Sequence, residues 1–222
     1  MKSKAVVLLS GGLDSAVALY IAKEKGYDCH CLVFDYGQRH KKEIDRAKLI
    51  TRRAGAKLHI VKLGLPWKGS SLLDKKRKLP FDRTIEDINS KIPSTYVPSR
   101  NTIFLSMAGS LAEAIGARAI FIGAHHEDSS GYPDCRKDYL EAFRKVMKLG
   151  TRAGMDDALT LEFPLINKGK PGIIRTGKRL GVPFELTWSC YKGGKAPCRR
   201  CDSCILRAKG FREAGIKDPP LN

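Results

Sequence analysis

The chain has 222 residues, of which 42% are hydrophobic, enough for one α/β domain with a sizeable core that needs no disulfide support. Its charge is lopsided: 41 Lys plus Arg oppose 23 Asp plus Glu, a net charge of +18, which favours anionic ligands. No basic tail or aromatic-interleaved basic stripe accompanies that surplus, so it reads as a lysine-rich solvated surface and argues against a stable nucleic-acid partner.

The opening run MKSKAVVLLSGG has too short an apolar stretch for a signal peptide or a membrane span, which predicts a cytoplasmic address and no membrane partner. Residues 5–9 (AVVLL) read as a buried parallel strand, and 13–25 as a helix with Leu13, Val17, Tyr20 and Ile21 on one face. A second strand fits 28–34, a helix about 41–54, and a third strand the segment AKLHIVKL from 56. Strand, helix, strand, helix, strand in this rhythm predicts right-handed βαβ units and a doubly wound parallel sheet.

The rhythm stops between Gly64 and Pro98, a stretch rich in Pro, Ser, Lys and Asp that reads as a long insertion loop. Helical spacing returns in NTIFLSMAGSLAEAIG, and ARAIFIGA is the fourth strand. A helix over 136–149 places Tyr139, Phe143, Val146 and Met147 on one face. LTLEFPL is the fifth strand, and KPGIIRTGKRLG a short helix with Pro near its start. The segment GIIRTGK at 172–178 approaches a Walker A motif, but Arg179 replaces the hydroxyl residue that would bind Mg²⁺ and no strand feeds it.

The turn after the first strand carries the first chemical signal. Ser10, Gly11, Gly12, Leu13, Asp14 and Ser15 face the crevice beyond the strand ends, where ligands of doubly wound sheets sit. Glycines let the backbone approach oxygens, while serine hydroxyls and helix N-terminal N–H groups donate to them, so the turn predicts a phosphate site. Asp14 suits phosphate poorly unless it caps the helix or helps to place Mg²⁺.

The second signal is TWSCYKGGKAPCRRCDSCILR, in which Cys190, Cys198, Cys201 and Cys204 are spaced C-x7-C-x2-C-x2-C. Four thiolates at such spacing close a tetrahedral shell around Zn²⁺, and a closed shell is structural. An iron–sulfur cluster also takes four thiolates. Cys29 and Cys31 alternate along a predicted strand and belong to the core.

SGGLDS at the end of the first strand is identified as the PP-loop signature. Together with FDYGQRHKKEI (34–44), YVPSRN (96–101), SGYPDCR (130–136), TWSCY (187–191) and the four cysteines, it makes the chain closely resemble the 7-cyano-7-deazaguanine synthase family from residue 5 to about 207. The resemblance implies a Rossmann-like PP-loop domain over residues 1–186, with the insertion at 64–98, and a zinc-binding tail and helix over 187–222. It implies ATP bound by Leu9, Ser10, Gly11, Gly12, Leu13, Asp14 and Ser15 with Ala16, Val17, Ala18 and Leu19 of the following helix, and Mg²⁺ accompanying it. Arg39 and Arg100 are the candidate phosphate-neutralising or catalytic residues, and Tyr132 and Asp134 the candidates for reading the base. The implied substrates are 7-carboxy-7-deazaguanine, ammonia and ATP, and the implied assembly a homodimer. GAHHED, at 123–128, departs from the bacterial pattern, so His125, His126 and Glu127 carry no assigned role; Arg199 stands where the family commonly has glycine. A tRNA thiolase with the same loop, and a zinc-stabilised nucleotide sensor, are the alternative readings.

Overall fold

A computed structural model describes residues 2–90, 92–125 and 131–221. Its strands are β1 (Lys4–Leu8), β2 (Asp28–Asp35), β3 (Lys57–Lys62), β4 (Ala119–Phe121) and β5 (Thr160–Glu162). The helices are α1 (Leu13–Glu24), α2 (Lys42–Ala54), α3 (Ile85–Ser90), α4 (Arg100–Ile115), α5 (Lys137–Gly150), α6 (Arg152–Met155), α7 (Lys170–Arg179) and α8 (Asp202–Ala214). The five strands pair in the order β3-β2-β1-β4-β5, all parallel, so β1 is central and strand order reverses between β1 and β4.

Alternation along the strands sends residues to two cores. Ala5, Val7, Cys29, Cys31 and Val33 meet α1, α2, α7 and Phe211 of α8 on one face. Val6, Leu8, Leu32, Phe34 and Ile120 meet α4 and α5 on the other. The expected doubly wound sheet is present. Helices cover both faces because βαβ crossovers alternate sides at the reversal.

Three local expectations need correction. α1 is buried nearly all round, Ser15, Ala18 and Leu19 included, rather than on one face, because α7 packs against it. In α5 the buried stripe is Leu140, Phe143 and Met147, while Val146 is 59% exposed; Leu140 rather than Val146 holds the i, i+3, i+7 spacing. The insertion is not featureless: it carries α3 and a backbone bridge between Phe81 and Cys201. The near-Walker segment lies within α7, as its helical pattern predicts.

Candidate active site

β1 ends at Leu8 and α1 starts at Leu13, leaving Leu9 to Gly12 as the turn. Its hydroxyls form one cluster: Ser10 Oγ and Ser15 Oγ lie 3.0 Å apart, Ser15 Oγ–H donates to Gly12 O at 3.1 Å, and Gly12 N–H donates to Ser10 Oγ. Gly11 has φ +85°, and a Cβ there would stand 2.2 Å from the carbonyl oxygen of Glu43, so glycine is required twice over. A Cβ at Gly123, after β4, would stand 2.9 Å from the backbone of Asp14 and Ser15, so glycine there lets the two loops pack closely. Gly12, at the N-cap of α1, makes no side-chain cap, which leaves first-turn N–H groups for an anion.

Asp14 does not cap the helix. Its carboxylate accepts two hydrogen bonds from Lys170 Nζ, at 2.8 and 2.9 Å, and the same ammonium lies 2.9 Å from His125 Nε2. Burial pushes the Asp14 carboxyl up, but Lys170 and then His125 outweigh it and hold it below the usual range. The cation from α7 thus neutralises the acid that made this turn unsuited to phosphate.

The turn opens on a cavity of about 270 Å³ at the carboxyl ends of β1, β2 and β4, where strand order reverses. Arg39, Arg100 and Tyr132 all line it. Arg39, however, spends its guanidinium on the insertion, donating to the carbonyls of Ser71, Asp74, Lys75 and Arg77. Arg100 is freer: among the described residues Tyr36 Oη accepts its one hydrogen bond, at 3.4 Å, and Tyr36 and Phe104 present ring faces to it. Burial opposes its charge, yet Tyr36 more than compensates and holds its pKa above the ordinary value.

Tyr132 Oη lies 3.0 Å from Thr95 Oγ1, so the insertion and the loop after β4 meet at the cavity wall. Asp134 is buried beside that wall rather than in it: its Oδ2 accepts from the backbone N–H of Asn101, in the first turn of α4. It supplies the cap that Ser99, at φ +52°, does not. His126 and Glu127 lie outside the described residues.

The metal candidates converge. The sulfurs of Cys190, Cys198, Cys201 and Cys204 all lie within 4.8 Å of one another, and Cys198 Sγ is 4.0 Å from Cys204 Sγ. A tetrahedral ion with bonds of about 2.3 Å needs sulfurs about 3.8 Å apart. Backbone N–H groups of Cys198 and Cys201 point at the sulfurs of Cys190 and Cys198. Hydrogen bonds from Cys201 and then Cys204 hold the Cys190 thiol far below its ordinary value, while that same pairing pushes Cys201 up to about 12. One thiolate therefore forms readily while Cys201 and Cys204 resist ionisation, the situation that a cation relieves, so the donor set fits a metal. Arg199, at φ +60°, occupies a left-handed position that glycine adopts without steric cost.

The cysteine knuckle also builds the cavity. Trp188 is 1% exposed; its backbone N–H donates to Gly11 O and its indole N–H to Cys190 O, both at 2.9 Å. Ser189, Tyr191 and Ser203, neighbours of the cysteines in sequence, line the cavity wall. Burial, and Tyr132 hydrogen-bonded beside it, raise the Tyr191 hydroxyl well above its ordinary pKa.

Comparison with known proteins decides what this arrangement belongs to. A family model described as "Queuosine biosynthesis protein QueC" matches residues 4–215. The chain belongs to the QueC family. It is 51% identical to the 7-cyano-7-deazaguanine synthase of Trichodesmium erythraeum, over 97% of this chain and 99% of that one. It is 50% identical to the 7-cyano-7-deazaguanine synthase of Thermoplasma acidophilum, over 98% and 91% respectively. Among solved structures, the NMN synthetase from Francisella tularensis aligns over 97% of this chain and 79% of that one, with TM-score 0.52 and 16% identity, a likeness of fold. As a QueC member with PP-loop architecture, the chain is a ligase-type enzyme of queuosine biosynthesis, and its four cysteines form a site able to bind metal. Among the described residues no helix is long and apolar enough to cross a membrane.

Sequence reasoning missed Lys170 and Glu43. Nothing marks a lysine at a helix start as the partner of an acid 156 residues away. Glu43 lies inside a quoted motif, but an acid in the first turn of a helix is already explained by the helix dipole. In the structure it lines the cavity, where burial pushes its carboxyl up to about 7 against the pull of Arg100.

Proposed function

We propose that the chain converts 7-carboxy-7-deazaguanine, with ammonia and ATP, into 7-cyano-7-deazaguanine, AMP and diphosphate, for queuosine or archaeosine formation. The observation that carries this reading is the family match over residues 4–215, which spans every segment lining the cavity. A carboxylate is inert to ammonia because oxide is a poor leaving group; adenylation converts it into one that leaves as AMP. Ammonia then gives the amide, a second ATP activates the amide oxygen, and loss of AMP leaves the nitrile.

Residues Leu9 to Leu19 bind ATP in this reading, with Ser10, Gly11, Gly12 and Ser15 around the departing diphosphate and Mg²⁺ as its counter-ion. Arg100 faces the charge that shifts between α- and β-phosphates, and Arg39 holds the insertion in place as well as bordering the phosphates. Tyr132 stacks on the base, and Asp134 fixes the start of α4 beside it. Zinc bound by Cys190, Cys198, Cys201 and Cys204 supplies a structural cross-link. We divide the chain into a PP-loop domain, residues 1–186, and a metal-binding tail, residues 187–222, working as a homodimer. Reduced thiolates fit a cytoplasmic setting.

One incubation tests the reading: 7-carboxy-7-deazaguanine, ammonium and Mg-ATP, followed by mass spectrometry of base and nucleotide. Nitrile with AMP and diphosphate is the expected result. ATP consumption only when tRNA is added, with the free base untouched, would overturn it in favour of a thiolase.

A further inference from the structure

Most polar side chains around the cavity are already engaged. Gln38 is spent on the main chain at Phe34 and Tyr36, Arg39 on the insertion, and Asn101 on Asp134 and Cys135. Glu43 is the exception among the acids. It sits in the first turn of α2, its backbone carbonyl is pressed against Gly11 of the phosphate turn, and it lines the cavity. Yet no described residue gives its carboxylate a hydrogen bond or an ion pair. Arg100, on the same cavity, likewise meets no carboxylate among the described residues, and its hydrogen bond there is the long one to Tyr36. An acid and a guanidinium that share a cavity without pairing leave room between them for a reactant that needs both.

The proposed chemistry has one half in which a base is required and one in which it is not. Adenylation of a carboxylate forms an O–P bond and breaks the α–β phosphoanhydride bond, and no proton moves. Nitrogen transfer sheds all three protons of ammonia. Attack on the acyl-adenylate forms C–N, breaks C–O to AMP and releases one proton. After the amide oxygen has displaced diphosphate from the second ATP, the adenylated amide gives up two N–H protons as C–O breaks and the nitrile forms.

Resting on the functional reading above, we infer that Glu43 is the general base of the nitrogen-transfer half, taking these N–H protons and passing them to solvent through the cavity mouth. A carboxyl poised near neutrality by burial suits repeated loading and discharge. Arg100 keeps the phosphate side of the cavity positive while Glu43 serves the nitrogen side.

Two half-reactions separate the roles in Glu43→Gln, which keeps the shape and removes the base. The first is exchange of labelled diphosphate into ATP with 7-carboxy-7-deazaguanine present and ammonia absent. The second is nitrile formation with ammonium. Exchange should continue in the variant while nitrile formation falls by about 100-fold, and Glu43→Asp should recover part of that loss. Equal loss of exchange and nitrile formation in both variants, with unchanged thermal unfolding, would overturn the assignment, as would an undiminished nitrile rate. If Glu43→Gln does not fold, a drop confined to nitrile formation in Glu43→Asp supports the assignment and an equal drop in exchange overturns it. Exchange absent from the wild-type enzyme would instead bring down the functional reading, and this assignment with it.

Discussion

The phosphate turn and the insertion at 64–98 border the same cavity, yet opposite kinds of force hold them. Leu9 and Leu13 are each 2% exposed and Ala16 and Val17 wholly buried, so the turn is fixed by the core directly beneath it. The insertion buries few large apolar residues, Leu65, Leu79, Ile88 and Val97 among them, together with the polar Ser70, Ser71 and Thr95. It is fastened instead by polar ties at two places. Arg39 grips four carbonyls between residues 71 and 77, and at its midpoint Arg83 donates to Asp202 while Asp82 N–H donates to Arg200 O. A turn made by its own core withstands the loss of distant groups; a segment held by distant groups does not.

The sharpest way to break that contrast is to strip the metal site. Chelation, or Cys201→Ser, should loosen the cysteine knuckle on which the middle of the insertion rests, through the Phe81–Cys201 bridge and the Arg83–Asp202 pair. The expected loss is several kcal/mol, a fall in melting midpoint of about 10 °C. Limited proteolysis should then cut first between residues 74 and 83, with the phosphate turn still protected. Early cleavage at the turn would erase the distinction. Next in size is Gly11→Ala. It forces an L-residue to φ +85° and drives a methyl against the Glu43 carbonyl, backbone on both sides. The cost should be about 3 kcal/mol by urea unfolding, with ATP binding lost and the proteolytic pattern of the insertion unaltered.

The same contrast explains what could be read in advance. The tight turn after β1 was legible because its glycines and hydroxyls lie within six residues, Ser10 to Ser15, and the knuckle because four cysteines within fifteen residues announce a shared ion. The parallel sheet was legible from its runs of buried β-formers, Ala5, Val6 and Val7 among them. Lys170, Arg83 and Arg207 were not. Each is an ordinary basic residue until the fold brings it to a particular acceptor: Asp14 for the first, Asp202 for the second, Asp218 and Thr187 for the third. Asp134 shows the converse. A carboxylate that the motif made a candidate for reading the base accepts from the N–H of Asn101, a local need that the motif alone does not display.

Two pairs at the middle of the insertion sharpen the comparison further, since they join the same two segments but differ in burial. Asp202 has 5% of its side chain exposed and Arg83 24%, and the guanidinium engages both carboxylate oxygens. Arg83→Ala would leave a buried carboxylate facing protein, at a cost of about 2–3 kcal/mol. Asp202 follows Cys201 and opens α8, so the strain falls on the knuckle, and metal affinity should weaken along with stability. Arg200 and Asp82 also pair through two nitrogens, but with 66% and 55% of their side chains exposed. Water takes over whatever either partner loses. Arg200→Ala should therefore leave the melting midpoint within the scatter of repeats and the protease sensitivity of residues 74–83 unchanged, because the backbone bond from Asp82 N–H to the carbonyl at position 200 survives the substitution. If Arg200→Ala instead frees the insertion as fully as Arg83→Ala does, the exposed pair carries the clasp, and burial is not what decides which ties hold this segment.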